Sequence, residues 1–178
     1  AFYMCISLRE IVLSPEHPVY AFENGLLIDK VKKEVVLCAP QYEKTEIYVP
    51  DGIESIGKRA FSVCENIMKI HLPDTLLSIG ESAFSECKAL SEIFIPDSVS
   101  EIGESAFFGC NSLLNIRLPD GLTEIKANTF RYSGLTDDFE IPESVTKIGE
   151  YAFSGNGNLT SVLLHDGIKE IGNGAYFD

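Results

Sequence analysis

A unit of 23 residues repeats along most of the chain and constrains the fold more than any other feature. Successive units begin at Pro50, Pro73, Pro96, Pro119 and Pro142, and His165 takes the next place. Apolar residues recur at positions 4 and 7, a glycine stands at position 8 of most units, and an Ala-Phe pair follows. Such units bury a continuous core only by stacking on one another, so the sequence predicts a solenoid.

The repeated pattern reads P-x-x-V/L-x-x-I-G-x-x-A-F-x-x-C-x-x-L-x-x-I-x-L. It resembles the BspA-like leucine-rich repeat of bacterial surface proteins and some protist ones. The strict match covers residues 50–178, and residues 1–13 match the second half of one further repeat. The resemblance implies a cell-surface or secreted bacterial protein whose function is non-enzymatic recognition, such as adhesion to host or neighbouring-cell ligands. A repeat specifies a fold, whereas function depends on the surface that the fold carries.

The predicted fold is a mostly β, right-handed α/β solenoid of about seven coils with a parallel sheet. We expect a partial repeat at residues 1–13, a β-meander insertion at 14–45 and the solenoid proper at 46–178, as a fragment of a longer protein. Each Ala-Phe segment is predicted to form one turn of α- or 3₁₀-helix. The inward strands precede the prolines, at Ile47–Val49, Ile70–Leu72, Ile93–Ile95, Ile116–Leu118, Phe139–Ile141 and Val162–Leu164.

The insertion carries the signals of a small antiparallel sheet. Asn24-Gly25 between two apolar runs is a strong hairpin signal, with strands expected at 19–23 and 26–29. A charged turn at 30–33 leads to a third strand at 34–38. The segment is either a binding loop or a β-elaboration that packs on the solenoid, and packing is the favoured interpretation.

The charge balance excludes some partner classes. The chain has 27 acidic and 14 basic residues and a net charge of −13, which repels phosphate backbones and anionic lipids. No apolar run approaches the ~20 residues that a membrane-spanning helix needs. We therefore expect neither nucleic acid binding nor direct membrane insertion, and the resemblance to the BspA-like repeat implies an extracellular protein or glycoprotein ligand.

Cys64, Cys87 and Cys110 occupy one column of the repeat, which Ser133 and Asn156 continue. Metal ligands must converge on one point, whereas residues on stacked coils form a line. Parallel side chains on neighbouring coils also hold their Cβ atoms wider apart than the ~3.8 Å typical of a disulfide. The favoured interpretation is a ladder of buried free thiols.

A second column consists of carboxylates directly after the prolines. Its members are Asp51, Asp74, Asp97, Asp120, Glu143 and Asp166. Carboxylates about 5 Å apart could bind calcium, which takes oxygen ligands. No calcium-loop motif accompanies them, and turn chemistry already explains the residue type. Calcium is a weak alternative, and no other cofactor is predicted.

The sequence gives little support to catalysis. His17, His71 and His165 are far apart along the chain, and no nucleophile elbow, His-Glu-x-x-His motif or phosphate-binding glycine loop is present. We predict that the protein is not an enzyme.

The outward positions of the strands vary from unit to unit, and they carry the predicted binding centre. Exposed aromatic residues beside an arginine are typical interface anchors. The candidate ligand-binding residues are Tyr48, His71, Phe94 and Arg117, with Lys69 and Glu92 alongside. Two alternatives stay open: the aromatics only support cross-strand pairs, or the repeats are a structural spacer that presents another domain.

Overall fold

The computed structural model describes residues 7–114 and 116–177. The described residues form short strands, and none of them is helical. The strands are β1 (Tyr20–Glu23), β2 (Leu26–Asp29), β3 (Glu34–Cys38), β4 (Glu46–Tyr48), β5 (Ser55–Ile56), β6 (Lys69–His71), β7 (Ser78–Ile79), β8 (Glu92–Phe94), β9 (Glu101–Ile102), β10 (Glu124–Ile125), β11 (Lys147–Ile148) and β12 (Glu170–Ile171). They build a mostly β solenoid of about six turns, which confirms the predicted fold class.

Three sheets run along the solenoid. The largest has the order β1-β2-β3-β5-β7-β9, and β10-β11-β12 form a separate sheet on the same positions of the repeat. The third sheet, β4-β6-β8, holds five of the six outward residues that the sequence singled out, all except Arg117. All pairs between successive coils are parallel, as stacked copies of one unit require. Below, coils 1 to 6 denote the units that begin at Pro50, Pro73, Pro96, Pro119, Pro142 and His165.

The predicted hairpin and third strand of the insertion are confirmed. Asn24 and Gly25 have φ angles of 50° and 80°, which is the left-handed pair that a tight hairpin turn needs. β1 and β2 are antiparallel, as are β2 and β3, and β3 then pairs in parallel with β5 of coil 1. The insertion is therefore a β-elaboration that continues a solenoid sheet. The predicted boundaries after residues 13 and 45 stay a prediction.

The predicted helical turn at the Ala-Phe segments is wrong. In coils 1 to 5 each segment has two residues with a left-handed backbone, four positions apart, for example Ser82 and Glu86 with φ of 55° and 61°. The N–H of Phe84 donates to the carbonyl of Ala106 in the next coil, whereas the neighbouring Ala83 N–H donates within its own coil to Gly80. The segment is thus a series of tight turns that forms a hydrogen-bonded ladder between coils (the turn ladder). A helix would direct these bonds back along its own chain.

The core is a stack of aromatic rings beneath the turn ladder. Centroid distances between rings of successive coils run from 5.1 Å for Phe61–Phe84 to 5.7 Å for Phe130–Phe153. These distances lie in the favourable range for aromatic pairs. The fully buried members are Phe61, Phe84, Phe107 and Phe130. The column that the sequence predicted as core is confirmed.

The cysteine column is buried as predicted, and Cys38 of β3 extends it. Cys87 Sγ donates to the carbonyl of Phe61 at 3.0 Å, and Cys110 Sγ donates to that of Phe84 at 3.1 Å. Burial raises the pKa of Cys110 to about 12, so its thiol stays protonated and unreactive. Of the predicted partial repeat, residues 1–6, including Cys5, lie outside the described residues, and Ile11 and Leu13 are half-buried.

Strand pairing is interrupted between coil 3 and coil 4, and we call this boundary the seam. A Cβ atom added at Gly80 would lie 2.8 Å from the backbone nitrogen of Lys58, so position 8 has room only for glycine when coils are paired. In coil 4 that position is Lys126. In the other coils the position-8 N–H donates to the preceding coil, as Gly103 does to Ile79.

Within the described residues, Lys126 N–H has no such bond, and β9 does not pair with β10. The residue at position 3 of the unit also contributes to the missing bonds between coils 3 and 4. Ser98 and Ser144 hydroxyls bond to the preceding coil, and coil 4 has Gly121 at this position. The turn ladder nevertheless crosses the seam, since Phe107 N–H donates to Thr129 at 2.9 Å. The seam therefore interrupts the sheet and leaves the aromatic stack continuous.

Only the first three of the six predicted inward strands form a ladder in the described part of the chain. Residues 116–118, 139–141 and 162–164 have buried side chains in places but no strand pairing there. Asp137 explains part of this difference. Its carboxylate accepts the N–H groups of Thr160 at 2.6 Å and Ser161 at 2.9 Å, in place of the backbone carbonyl that accepts equivalent bonds in earlier coils. The Asp137 side chain thus takes the place of a backbone acceptor between the two coils.

Candidate recognition face

The sheet β4-β6-β8 brings three predicted aromatic residues into one row. Tyr48, His71 and Phe94 are direct register partners on adjacent strands. The Tyr48 and His71 rings stack with centroids 4.1 Å apart and planes 5° apart. Tyr48 and Phe94 are 59% and 58% exposed, so both rings offer an apolar face to a ligand. We call these three residues the aromatic row.

A second row of charges runs beside the aromatic row. Glu46, Lys69 and Glu92 are register partners, and Lys69 Nζ lies 2.5 Å from Glu92 Oε1. Glu46 Oε1 lies 2.6 Å from His71 Nε2, which links the two rows diagonally. These contacts fix the His71 ring in its stacked position against Tyr48.

The contacts also shift the pKa values of three of these groups. The hydrogen bond from His71 lowers the pKa of Glu46, and the hydrogen bond to Glu92 raises the pKa of Lys69. The hydrogen bond to Glu46 raises the pKa of Tyr48, so its hydroxyl stays protonated well above neutral pH. At neutral pH the face therefore presents a phenol, a carboxylate pair and an ammonium in fixed positions.

Arg117 extends the face on coil 3, where it is held by the acidic column. Its guanidinium lies 3.1 Å from Asp97 and 3.3 Å from Asp120. The structure thus places all six predicted binding residues on one side of the solenoid, with Arg117 beyond the end of the three-stranded sheet.

The acidic column does not gather into a metal site in the described residues, where no group of three or more His, Cys, Asp or Glu side chains converges. Arg117 stands between Asp97 and Asp120 and neutralises part of the column. Asp51 and Asp74 are exposed at their turns. This arrangement gives the calcium alternative no preformed ligand set.

A groove of about 860 Å³ lies next to Arg117 and was not predicted from the sequence. It opens where the segments 116–118, 139–141 and 162–164 run unpaired. Asp138, Glu140 and Leu163 line it, and Leu163 is 86% exposed. The irregular segment at residues 131–138 was the one sequence signal of this groove, because it breaks the spacing of the repeat.

The three histidines do not form a shared site. His17 accepts N–H groups of its own turn, and His71 belongs to the recognition face. His165 takes the place of a proline, accepts the Gly167 N–H and contacts the Pro142 carbonyl at 3.0 Å. Each histidine therefore has a local structural role in the contacts described.

The sequence profile of the BspA type leucine rich repeat region matches residues 40–137 and 123–178, with six copies of the repeat. The chain belongs to the BspA-type leucine-rich repeat family. This confirms the resemblance inferred from the repeated pattern. Members of this repeat class are typically binding scaffolds without catalytic activity. No curated protein matches the chain in sequence.

Solved structures share this fold at low sequence identity. A leucine-rich repeat protein from Eubacterium ventriosum is 22% identical with a TM-score of 0.73, covering 98% of this chain and 54% of its own. The leucine-rich repeat protein TpLRR from T. pallidum is 22% identical with a TM-score of 0.52, covering 80% of this chain and 87% of its own. A leucine-rich cell surface protein from Faecalibacterium prausnitzii is 21% identical with a TM-score of 0.51, covering 84% of this chain and 55% of its own. The chain thus spans about half the length of the first and third of these proteins.

Within the described residues there is no helix of the length and apolarity that would cross a bilayer.

Proposed function

We propose that this chain is a non-enzymatic recognition module of a cell-surface or secreted bacterial protein, and that it binds an extracellular protein or glycoprotein, as in adhesion. The carrying observation is the aromatic row, where Tyr48 and Phe94 are more than half exposed beside the charge row and the Tyr48 ring is stacked on His71. Rigid, exposed aromatic residues next to an arginine are favoured interface anchors, because they lose little conformational entropy on binding. The cell-surface description of the Faecalibacterium prausnitzii protein supports the proposed location.

The fold supports the proposal as well. Each coil contributes one strip of side chains to a continuous surface, so an extended ligand can contact several coils at once. Tyr48, His71 and Phe94 lie on three successive strands, and Arg117 adds a fourth strip. Ligand binding would therefore depend on residues far apart in sequence and adjacent in space.

The test is a binding screen of the chain against matrix proteins, mucins and glycans at physiological salt. For the ligand that binds, Tyr48→Ala, Phe94→Ala and Arg117→Ala should each weaken binding by at least about fivefold, as truncation of interface anchors does. Leu77→Ala is the control, because Leu77 is also about half exposed but lies beside β7 on another sheet. Circular dichroism would verify that each variant keeps the fold.

If the three variants bind as tightly as the unchanged chain, the aromatic row is not the recognition face. If nothing in the panel binds, the structural spacer becomes the better description. A chelator added to the same assay tests the acidic column, since loss of binding without calcium would require Asp51, Asp74, Asp97 or Asp120 to hold the ion together with the ligand.

A further inference from the structure

We infer that the groove beside Arg117 receives a cationic, extended protein segment of the ligand, with basic side chains alternating with small or apolar ones. This inference rests on the proposed recognition function and specifies the chemistry of its partner. The groove continues the recognition face from coil 3 to coil 6, so a ligand on the aromatic row can reach it.

The charges of the groove favour a basic occupant. Five carboxylates line it, from Asp120, Asp137, Asp138, Glu140 and Glu143. The basic side chains on its walls are already engaged, since Arg117 pairs with Asp97 and Asp120, and His165 contacts backbone groups on both ring nitrogens and lies 3.4 Å from Glu143. In the part of the chain that the structure describes, Asp138 and Glu140 have no cationic partner. A lysine or arginine of a ligand would provide the missing counter-charge.

The walls of the groove also carry open backbone groups and an apolar side chain. In the described chain, the N–H groups of Glu140 and Leu163 have no backbone acceptor, unlike their equivalents in the paired sheet β4-β6-β8. Unpaired strand segments are the surfaces that extended peptides bind through main-chain hydrogen bonds. Leu163, at 86% exposure, supplies apolar contact between the carboxylates. These features distinguish the groove from the rest of an acidic surface.

The test uses a fluorescein-labelled peptide of twelve residues in which lysine and threonine alternate, titrated with the 178-residue chain at about 0.15 M salt and followed by fluorescence polarisation. The double variant Asp138→Asn, Glu140→Gln should weaken binding about threefold to tenfold, the sum of two exposed charge pairs. The matched control is Asp51→Asn, Asp74→Asn, which removes the same charge from exposed turns outside the groove. This control should change binding less than about twofold, because the salt-screened field of distant charges is weak.

Equal losses in the two double variants would overturn the inference, because binding would then follow net charge alone. Failure of the peptide to bind, or tighter binding of the corresponding glutamate-threonine peptide, would overturn it as well. Leu77→Ala should leave binding of this short peptide unchanged, since Leu77 lies beside β7 on another sheet, and none of the groove variants belongs to the aromatic row. The peptide assay therefore tests the groove even if the aromatic row fails in the ligand screen.

Discussion

The Ala-Phe column could be predicted residue by residue, because one apolar position that recurs at every 23rd residue must point into the stack. The structure adds that the rings stack directly on one another across the coils. The role of Asp137 could not be predicted in this way. Its carboxylate accepts the N–H groups that a backbone carbonyl accepts in earlier coils. The residue type alone does not show whether the side-chain oxygen or the backbone oxygen will be the acceptor.

At the residue scale we expect Phe84→Ala to lower the free energy of unfolding by about 3–5 kcal/mol. The ring is fully buried between Phe61 and Phe107, and its loss leaves a cavity that neighbouring coils cannot easily fill. Urea unfolding followed by circular dichroism gives the value. Phe94→Ala is the matched control, and its exposed ring should cost less than about 1 kcal/mol. Equal costs for both variants would show that the aromatic stack does not hold the coils together.

At the scale of elements, the strands of the insertion and the first three outward strands follow from period-two alternation and turn residues. The tight turns of the Ala-Phe segments were mistaken for helix because both place residues three apart near each other. Left-handed residues such as Arg59 and Ser82 decide between them, and these residue types give no strong signal of that backbone. The seam did have a signal in the sequence, namely lysine in a column of glycines.

The seam leads to the prediction for this scale. In Lys126→Gly the added room at position 8 should let coil 4 pair with coil 3, with the amide of residue 126 donating to Ile102. Hydrogen exchange at residues 124–126 should then slow by about tenfold, the effect of one net backbone hydrogen bond. The measurement is amide exchange followed by mass spectrometry.

Lys58→Gly is the control for this change. Lys58 and Lys126 each pair with a glutamate of a neighbouring coil, at 2.6 Å and 2.5 Å, so both variants lose one ion pair and gain one flexible residue. Lys58 lies outside the glycine column, and its variant should leave exchange at residues 124–126 unchanged. If Lys126→Gly also leaves it unchanged, the lysine Cβ is not what separates β9 from β10.

For the whole molecule, the repeat alone determines a solenoid, and family membership agrees with that. The ligand is not determined at this scale, because it depends on side chains that vary from coil to coil while the core stays constant. The groove arises from two local departures from the repeat, at the irregular segment 131–138 and at the unpaired strand segments. Departures of this kind become visible only when the coils are stacked in three dimensions.

Two opposing electrostatic terms act on the stability of the whole solenoid. Exposed ion pairs such as Lys33–Glu54 and Lys88–Glu65 link neighbouring coils and weaken with salt. Against them, the net charge of −13 and the column of carboxylates on successive coils repel, and salt relieves that repulsion. The repulsion should dominate, because acids outnumber bases 27 to 14 and, within the described residues, carboxylates such as Asp51, Asp74 and Glu140 form no ion pair that salt could weaken.

We therefore expect the Tm to rise between about 10 mM and 300 mM sodium chloride, as the Debye length falls from about 30 Å to less than 10 Å. Differential scanning calorimetry at neutral pH gives the slope. In Asp51→Asn, Asp74→Asn the Tm at low salt should be higher and the slope smaller, because two neighbouring charges of the column are removed. A Tm that falls with salt would mean that the ion pairs between coils outweigh the repulsion along the acidic column.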